Sequence, residues 1–269
     1  MRNINGEKMM KRFFLFCLFA LLGFCTVEGA PREKKRNSFD PRNPERQKYG
    51  RIRIRVRQET PRGSVSGRLP PKERIPGQAE RFFNAINRLP ESFIRRSGIR
   101  YVTFLDNLKL NGAPAGGVAG GDTIYLAMNC PETTVFHELF HIFDPKRKDK
   151  QWTRLNGRGF VYTGSAFYDA DLSKFKRKRM NSNLEEKKYD ADFVSRYAMS
   201  FEHEDRAETF AHMIVEGPKF LRRTEKSPVL RKKMEYIIEI SGKRDLLGRD
   251  FWEKLFRPEK PPPPPRPAP

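Results

Sequence analysis

The chain has 269 residues, of which 37% are hydrophobic and 32% are charged, and its formal net charge at pH 7 is +21. This length allows one sizeable hydrophobic core, but the charged fraction and the 21 prolines exclude a chain that is folded from end to end. The positive charge favours polyanionic partners, namely acidic protein surfaces, anionic lipid or nucleic acid.

Residues 1–30 have the pattern of an export signal. Basic residues precede an uninterrupted apolar run over residues 13–24, and small residues follow at Gly29 and Ala30. The run is too short to span a bilayer comfortably, because a spanning helix needs about 20 apolar residues. We therefore predict a cleaved signal peptide, a secreted or periplasmic/cell-surface location and no transmembrane anchor after cleavage. A retained membrane anchor is the alternative.

Cleavage after residue 30 would change the net charge of the chain little but would remove most of its cysteines. Residues 1–30 contain four Lys/Arg, two Glu and two of the three cysteines, so residues 31–269 keep a net charge of +19 and only Cys130. A single cysteine cannot form an internal disulfide in an oxidising compartment. The stability of the exported chain is therefore expected to come from packing and from metal binding.

Both ends of the exported chain have the composition of unfolded segments. Residues 31–77 contain fifteen Lys/Arg against five Asp/Glu, together with scattered prolines, and we predict that they are largely disordered. Within them, Arg51 to Arg57 alternates basic and β-branched residues, which predicts a strand that either docks at a sheet edge or stays loose. Residues 258–269 are expected to form an extended polyproline tail.

The middle of the chain, residues 78–257, has the periodicity of a globular domain. The predicted elements in chain order are a helix over 79–89, a strand over 99–105, a Gly/Ala loop over 111–121, a strand over 122–128, a helix from Pro131 to Asp144, a basic surface insertion over 146–189, and helices over 204–215 and 229–240. The insertion is densest in positive charge from Lys174 to Arg179.

A metal-binding motif lies in the helix predicted from Pro131. His137, Glu138 and His141 match the pattern His-Glu-x-x-His. Histidines four residues apart lie one helical turn above each other, so both imidazoles can reach one ion, and Glu138 remains near it. Nitrogen ligands suit zinc, and a catalytic zinc site needs a third protein ligand and an open position for water. Histidines that only pack in the core are the alternative.

The third ligand is expected from the acidic helix over 204–215. Glu204, Glu208 and His212 are spaced by four and share one helical face. We predict that Glu204 binds the metal, that Glu208 hydrogen-bonds a liganding histidine and that His212 packs deeper in the helix. His203 and His212 are the competing candidates for the third ligand. The alternative is that these acidic residues only form a solvated, charged helix face. Asp144 is expected to hydrogen-bond a metal ligand or to end the helix that begins at Pro131, and not to bind the metal itself.

These residues resemble the zincin peptidases that use a glutamate as third ligand. The likeness is greatest to exported zinc-binding metallopeptidases related to the catalytic domain of anthrax lethal factor and to the Pro-Pro endopeptidases. In that family a tyrosine lies seven residues before the liganding glutamate and another glutamate lies four after it, as do Tyr197, Glu204 and Glu208 here. The family commonly has an aromatic residue where this chain has Arg206. The blocks that carry the resemblance are Gly116–Leu126, His137–Asp144, Trp152 with Leu155–Asn156, and Phe193–Ala198.

The resemblance implies an α+β zincin-like metallopeptidase domain with a small mixed sheet, an active-site helix and a C-terminal helical part. It implies a hydrolase with one Zn²⁺ per chain, in which Glu138 is the general base and Tyr197 donates a hydrogen bond to the oxyanion. The strand over 122–128 would be the sheet edge that pairs with the backbone of a peptide or protein substrate, which the charge suggests is acidic.

Two other classes of function fit parts of the sequence. A polybasic, polyanion-binding surface protein with a structural or vestigial zinc site would explain the basic segment, which could contact an anionic surface, but leaves Glu138 and Tyr197 without a role. A metallohydrolase acting on non-peptide substrates is the nearest enzymatic alternative. Nucleic acid is the least favoured partner, because the arginine stretch lacks aromatic residues for base stacking and export separates the two.

Overall fold

The computed structural model describes residues 48–49, 52–54, 64–144, 148–164, 187–243 and 247–258, all within a compact unit of residues 39–269. The predicted export signal, most of the predicted disordered segment, the basic run from Lys174 to Arg179 and the prolines from Pro261 lie outside these residues. Within the described ranges, no helix combines the length and the apolar character needed to cross a bilayer.

The described ranges contain seven strands and eight helices. The strands are β1 (Lys48–Tyr49), β2 (Ile52–Ile54), β3 (Val65–Arg68), β4 (Tyr101–Leu110), β5 (Ala113–Pro114), β6 (Gly117–Gly120) and β7 (Thr123–Ala127). The helices are α1 (Ile75–Ile86), α2 (Glu91–Ser97), α3 (Glu132–Phe143), α4 (Lys150–Thr153), α5 (Glu202–Glu216), α6 (Pro218–Lys226), α7 (Pro228–Lys243) and α8 (Arg249–Leu255). Short 3₁₀ turns are formed by Lys72–Arg74, Lys187–Asp192 and Tyr197–Met199.

The strands form a small mixed sheet in the order β1-β2-β4-β7-β6. β2, β4 and β7 run parallel, whereas β1 and β6 are antiparallel to their neighbours. The far half of β4 also pairs with β3 and β5. The predicted α+β class, with a small mixed sheet followed by helices, is therefore confirmed.

The strand predicted to be the substrate-binding edge is not an edge. β7 pairs with β4 on one side and with β6 on the other, so both of its backbone sides are occupied. The last strand in the order is β6, which lies inside the predicted Gly/Ala loop. Glycine and alanine have low strand propensity, and only Val118 is β-branched there, so the sequence indicated a loop.

The folded domain begins before residue 78. Residues 64–77 were predicted to be largely disordered, yet they form β3, a 3₁₀ turn and the start of α1. β3 pairs with the far end of β4, and Ile75 is buried in the core. The alternating arginine stretch also docks: Arg53 and Ile54 pair with the start of β4, and β1 covers the other side of β2.

One face of the sheet packs against the helices. Val102 and Phe104 of β4 and Ile124 and Leu126 of β7 alternate toward this face and share one core with buried residues of α1, α2, α3, α5, α7 and α8. Leu105, Leu108 and Val118 form a smaller cluster on the other side. Helices α3 and α5 meet through Phe140 and Phe210, whose ring centroids are 5.0 Å apart.

The predicted basic insertion over 146–189 contributes to the core where it is described. Trp152 is fully buried, and its indole Nε1 donates to Oδ2 of Asp205 at 2.9 Å. Tyr162 donates to the same oxygen at 2.7 Å, and Tyr189 is buried in a neighbouring cluster. The prediction of a surface insertion is wrong for these residues, because average charge hides single aromatic residues that anchor a segment.

Candidate metal centre

Helix α3 presents both histidines of the motif to one point. Pro131 precedes the helix, and the backbone N–H of Asp144 bonds the carbonyl of Phe140 where it ends. The apolar side chains of α3 are buried and fix its rotation, and His137 is only 5% exposed. As expected for positions four apart, the Nε2 atoms of His137 and His141 converge, and they are 2.9 Å apart.

Helix α5 brings Glu204 to the same point. Its Oε2 atom lies 2.9 Å from Nε2 of His137 and 3.2 Å from Nε2 of His141. Within the described part of the chain these three residues form the group with spacing suited to a metal ion. Tetrahedral zinc, with bonds of about 2.0–2.2 Å, holds neighbouring ligand atoms roughly 3.3 Å apart. Two imidazole nitrogens and one carboxylate oxygen at these separations therefore fit zinc.

Glu208 lies on the Nδ1 side of the His137 ring, opposite Glu204. Its Oε1 atom is 2.9 Å from Nδ1 of His137, and its Oε2 atom accepts a hydrogen bond of 2.6 Å from the hydroxyl of Ser195. A carboxylate on Nδ1 fixes the ring orientation and leaves Nε2 free to bind metal. Ser195 was not singled out from the sequence, since its contact depends on folding and no local spacing predicts it.

The electrostatics of the cluster follow from burial and the facing carboxylates. Burial alone would lower the pKa of His137, but hydrogen bonds to Glu204 and Glu208 outweigh it and raise the pKa to about 10. Burial dominates at His141 and lowers its pKa. Burial would raise the pKa of Glu204, yet its histidine neighbours hold that pKa far below the ordinary range. The site therefore carries an ionised carboxylate that is stabilised by surrounding imidazoles.

Glu138 lies between α3 and the edge strand β6. The residue is 6% exposed, and burial raises the pKa of its carboxyl to about 7, although the charge of His137 acts to lower that pKa. The backbone of Ala119 hydrogen-bonds this carboxyl. Strand and helix approach closely at Gly117, where any Cβ would lie 2.6 Å from Cγ of Glu138 and 2.8 Å from Cγ2 of Thr134. The missing side chain at Gly117 therefore makes room for Glu138.

Tyr197 lies beside the histidines at the start of a 3₁₀ turn. Its ring centroid is 5.8 Å from that of His137, and the two rings are inclined by 33°. Two flanking serines hold the turn: Ser200 Oγ donates to the carbonyl of Tyr197, and Ala198 N donates to Ser195 Oγ at 3.1 Å. The structure thus brings Tyr197 next to His137, one of the three candidate ligands.

Two comparisons with known proteins each return a match. A family model described as "Putative zinc-binding metallo-peptidase" matches residues 121–249, which contain both α3 and α5. The predicted resemblance is confirmed. A crystal structure of a protein of the same description from Bacteroides caccae shares 15% sequence identity and a TM-score of 0.49, with 80% of this chain and 85% of that chain covered. No curated protein matches the chain.

Arg206 forms a buried ion pair with Asp144. It stands at the position where the sequence resemblance led us to expect an aromatic residue. Its Nε atom donates to Oδ2 of Asp144 at 2.9 Å, with side-chain exposures of 0% and 3%. Asp144 therefore joins the end of α3 to α5, and the described metal-binding group does not include it.

Of the competing histidines, neither His203 nor His212 belongs to the described metal-binding group. Nε2 of His203 faces the other oxygen of Glu204, Oε1, at 3.2 Å. Nδ1 of His212 lies 2.6 Å from Oε1 of Glu216, and its Nε2 is 3.9 Å from Oε2 of Glu208. His212 thus supports the end of α5, and His203 flanks the candidate third ligand.

A second buried ion pair on α5 was missed from the sequence. Nζ of Lys233 lies 2.9 Å from Oδ2 of Asp205, and both side chains have 0% exposure. Burial raises the pKa of Asp205 and lowers that of Lys233, while the pairing acts against both shifts. Lys233 also lies 3.4 Å from the ring centroid of Phe193. In the sequence it is one of two adjacent lysines on α7, and nothing local distinguishes it from Lys232.

Proposed function

We propose that this chain is an exported zinc-dependent endopeptidase whose metal ligands are His137, His141 and Glu204. The observation that carries the proposal is the convergence of three donor atoms, at mutual distances of 2.9, 2.9 and 3.2 Å, beside the buried carboxyl of Glu138. The matched family supports zinc as the metal and a peptide or protein as the substrate. One zinc per chain is part of the proposal, because the described residues form one group of three candidate ligands.

Glu138 is assigned as the general base. A bound zinc ion supplies Lewis-acid chemistry, which polarises a carbonyl and lowers the pKa of a water molecule. Glu138 accepts one proton from the attacking water as its oxygen bonds to the peptide carbonyl carbon. It then returns that proton to the leaving amine as the C–N bond breaks.

Tyr197 and β6 are assigned to the substrate. The phenol of Tyr197 donates a hydrogen bond to the oxyanion that forms on the carbonyl oxygen, a stabilisation typically worth about 3 kcal/mol per donor. β6 is the last strand in the sheet order and bonds Glu138 through Ala119, so an extended substrate pairing with it would lie along the catalytic carboxyl. This assignment moves the substrate edge from β7 to β6.

Export is proposed from residues 1–30, and an acidic substrate from the net charge of +19 that remains on residues 31–269. The same charge would let the basic segment contact an anionic surface. The proposed location is outside the cytoplasm, in a secreted, periplasmic or cell-surface form.

The test is to incubate the protein with a broad peptide pool, with and without a metal chelator, and to identify new termini by mass spectrometry. We expect internal cleavages that the chelator abolishes and added zinc restores. Zinc-loaded protein that cleaves nothing in the pool would refute the peptidase and favour the polyanion-binding protein with a structural or vestigial zinc site. Cleavage confined to chain ends would refute the endopeptidase assignment.

A further inference from the structure

Arg223 of α6 joins two parts of the chain that are distant in sequence. Its Nη1 atom donates to Oε1 of Glu216, the last residue of α5, at 2.6 Å. Its Nη2 atom donates to the backbone carbonyls of Phe193 at 3.3 Å and Val194 at 3.2 Å. One planar guanidinium therefore fixes the tyrosine segment (residues 193–197) to the helix that carries the candidate third ligand.

The tyrosine segment also contacts the candidate metal centre, through Ser195 and through Tyr197. The hydroxyl of Ser195 donates to Oε2 of Glu208, whose other oxygen meets Nδ1 of His137. Tyr197, two residues further on, lies with its ring against that of His137. A displacement of the backbone at residues 193 and 194 would therefore move the proposed oxyanion donor and the partner of Glu208 together.

Asp192, the residue before the tyrosine segment, is held by two hydrogen bonds. Ser227 Oγ donates to Oδ1 of Asp192 at 2.7 Å, and Lys233 Nζ donates to the carbonyl of Asp192 at 3.1 Å. Arg223 bonds the next two carbonyls along the chain. Its side chain is 33% exposed, so its replacement removes these bonds without opening the core.

We propose that Arg223 is a positioning residue for the peptidase reaction, which holds the tyrosine segment where the Tyr197 hydroxyl meets the oxyanion. The inference rests on the proposed function. Arg223 is not a catalytic residue, because it acts through the backbone at residues 193 and 194. It sets the position of a donor, and small displacements of such groups lower turnover more than they weaken substrate binding.

The experiment compares three variants of the full chain. Arg223→Met removes the guanidinium but keeps a long side chain. Arg223→Lys keeps the charge facing Glu216 but lacks the planar fork that reaches two carbonyls. Arg231→Met is the matched control, because Nη2 of Arg231 on α7 also donates to a backbone carbonyl, that of Thr224 in the last turn of α6, at 3.3 Å.

We expect both Arg223 variants to speed amide hydrogen exchange at Ala198 and to lower kcat on the order of 10- to 100-fold. Their KM should stay within about twofold of the wild type, and Arg231→Met should match the wild type in all three measurements. In a Tyr197→Phe background, Arg223→Met should lower kcat by less than about threefold more, because its effect passes through the tyrosine.

Wild-type exchange at Ala198 in Arg223→Met would overturn the inference, as would kcat losses that multiply fully in the double variant. The exchange measurement needs no activity, so it separates this inference from the proposed function. Suppose that zinc-loaded wild type cleaves no peptide while exchange at Ala198 is still faster in Arg223→Met than in the wild type. This result would refute the peptidase, but Arg223 would still be the residue that holds the tyrosine segment.

Discussion

Nδ1 of His137 lies 2.9 Å from Oε1 of Glu208, while Nε2 of the same ring lies 2.9 Å from Oε2 of Glu204. The two glutamates, one helical turn apart on α5, thus meet opposite sides of one imidazole. Glu208 fixes the orientation of the ring. Glu204 is placed so that its Oε2 atom and Nε2 of His137 could bind the same metal ion.

The first prediction separates these two roles at Glu208. Glu208→Ala should weaken zinc affinity about 10–100-fold without abolishing binding, because the ring of His137 loses its orienting carboxylate but keeps Nε2. Competition with a chromophoric chelator measures the affinity. Glu225→Ala, at an exposed position on α6, is the control and should not change it. An affinity equal to that of the wild type in Glu208→Ala would contradict the assignment.

The second prediction concerns the third ligand. Glu204→Ala should lose most bound zinc, as should His141→Ala, because two remaining ligands hold the ion poorly. His203→Ala and His212→Ala should each keep about one zinc per chain, since neither imidazole belongs to the described metal-binding group. Metal analysis of dialysed protein decides the matter. Zinc lost from His203→Ala but retained in Glu204→Ala would make His203 the ligand.

The third prediction tests the chemistry without removing the metal. Glu138→Gln keeps the size and the hydrogen-bonding capacity of the side chain but cannot accept a proton, so cleavage should collapse while zinc stays bound. Tyr197→Phe should also keep zinc and should lower the rate roughly 10²–10³-fold, as expected for one lost oxyanion donor. Peptide cleavage is measured beside zinc content for each variant. Equal cleavage by the wild type and Glu138→Gln would refute the hydrolytic mechanism.

The fourth prediction uses two neighbouring glycines. A Cβ at Gly117 would lie 2.6 Å from Cγ of Glu138, whereas one at Gly116 would lie 3.6 Å from its nearest neighbour, Oγ1 of Thr134. Gly117→Ala should therefore displace Glu138 and lower kcat on the order of 100-fold with zinc retained. Gly116→Ala should leave kcat near that of the wild type. Similar kcat values for the two variants would show that the close approach does not set the position of Glu138.

The fifth prediction concerns stability. Lys233→Met leaves Asp205 buried without its cation and should lower the free energy of unfolding by roughly 3–5 kcal/mol. Lys232→Met, at an exposed position one residue earlier, should change it by no more than about 0.5 kcal/mol. Urea denaturation of both variants measures the difference. A loss below 1 kcal/mol in Lys233→Met would show that the pair adds little beyond an apolar contact.

The parts of the site that lie on one helix could be predicted from the sequence. The spacing of His137 and His141, and of Glu204 and Glu208, follows from the helical repeat, and the structure brings these residues together. The need for a third ligand pointed to the acidic helix but left Glu204 in competition with His203 and His212; the resemblance added the matched spacing of Tyr197, Glu204 and Glu208.

Features that depend on partners far along the chain could not be predicted. Whether β6 or β7 is the edge depends on strand order, and the Gly/Ala composition of β6 conceals its role. Lys233 pairs with Asp205 across 28 sequence positions, and Arg223 reaches the carbonyl of Val194 across 29. Charged residues of this kind look like solvated surface in a sequence, because only the fold removes them from water.

Helix α5 carries Glu204 on one side and the buried charges of Asp205 and Arg206 on the other. Detachment of α5 would release a bound ion and expose these ion pairs in the same event, so zinc binding to the folded chain is linked to its unfolding. Free zinc at one hundred times its Kd would add about 2.7 kcal/mol to the free energy of unfolding. The lifetime of the folded chain among other proteases would then follow the zinc supply around it.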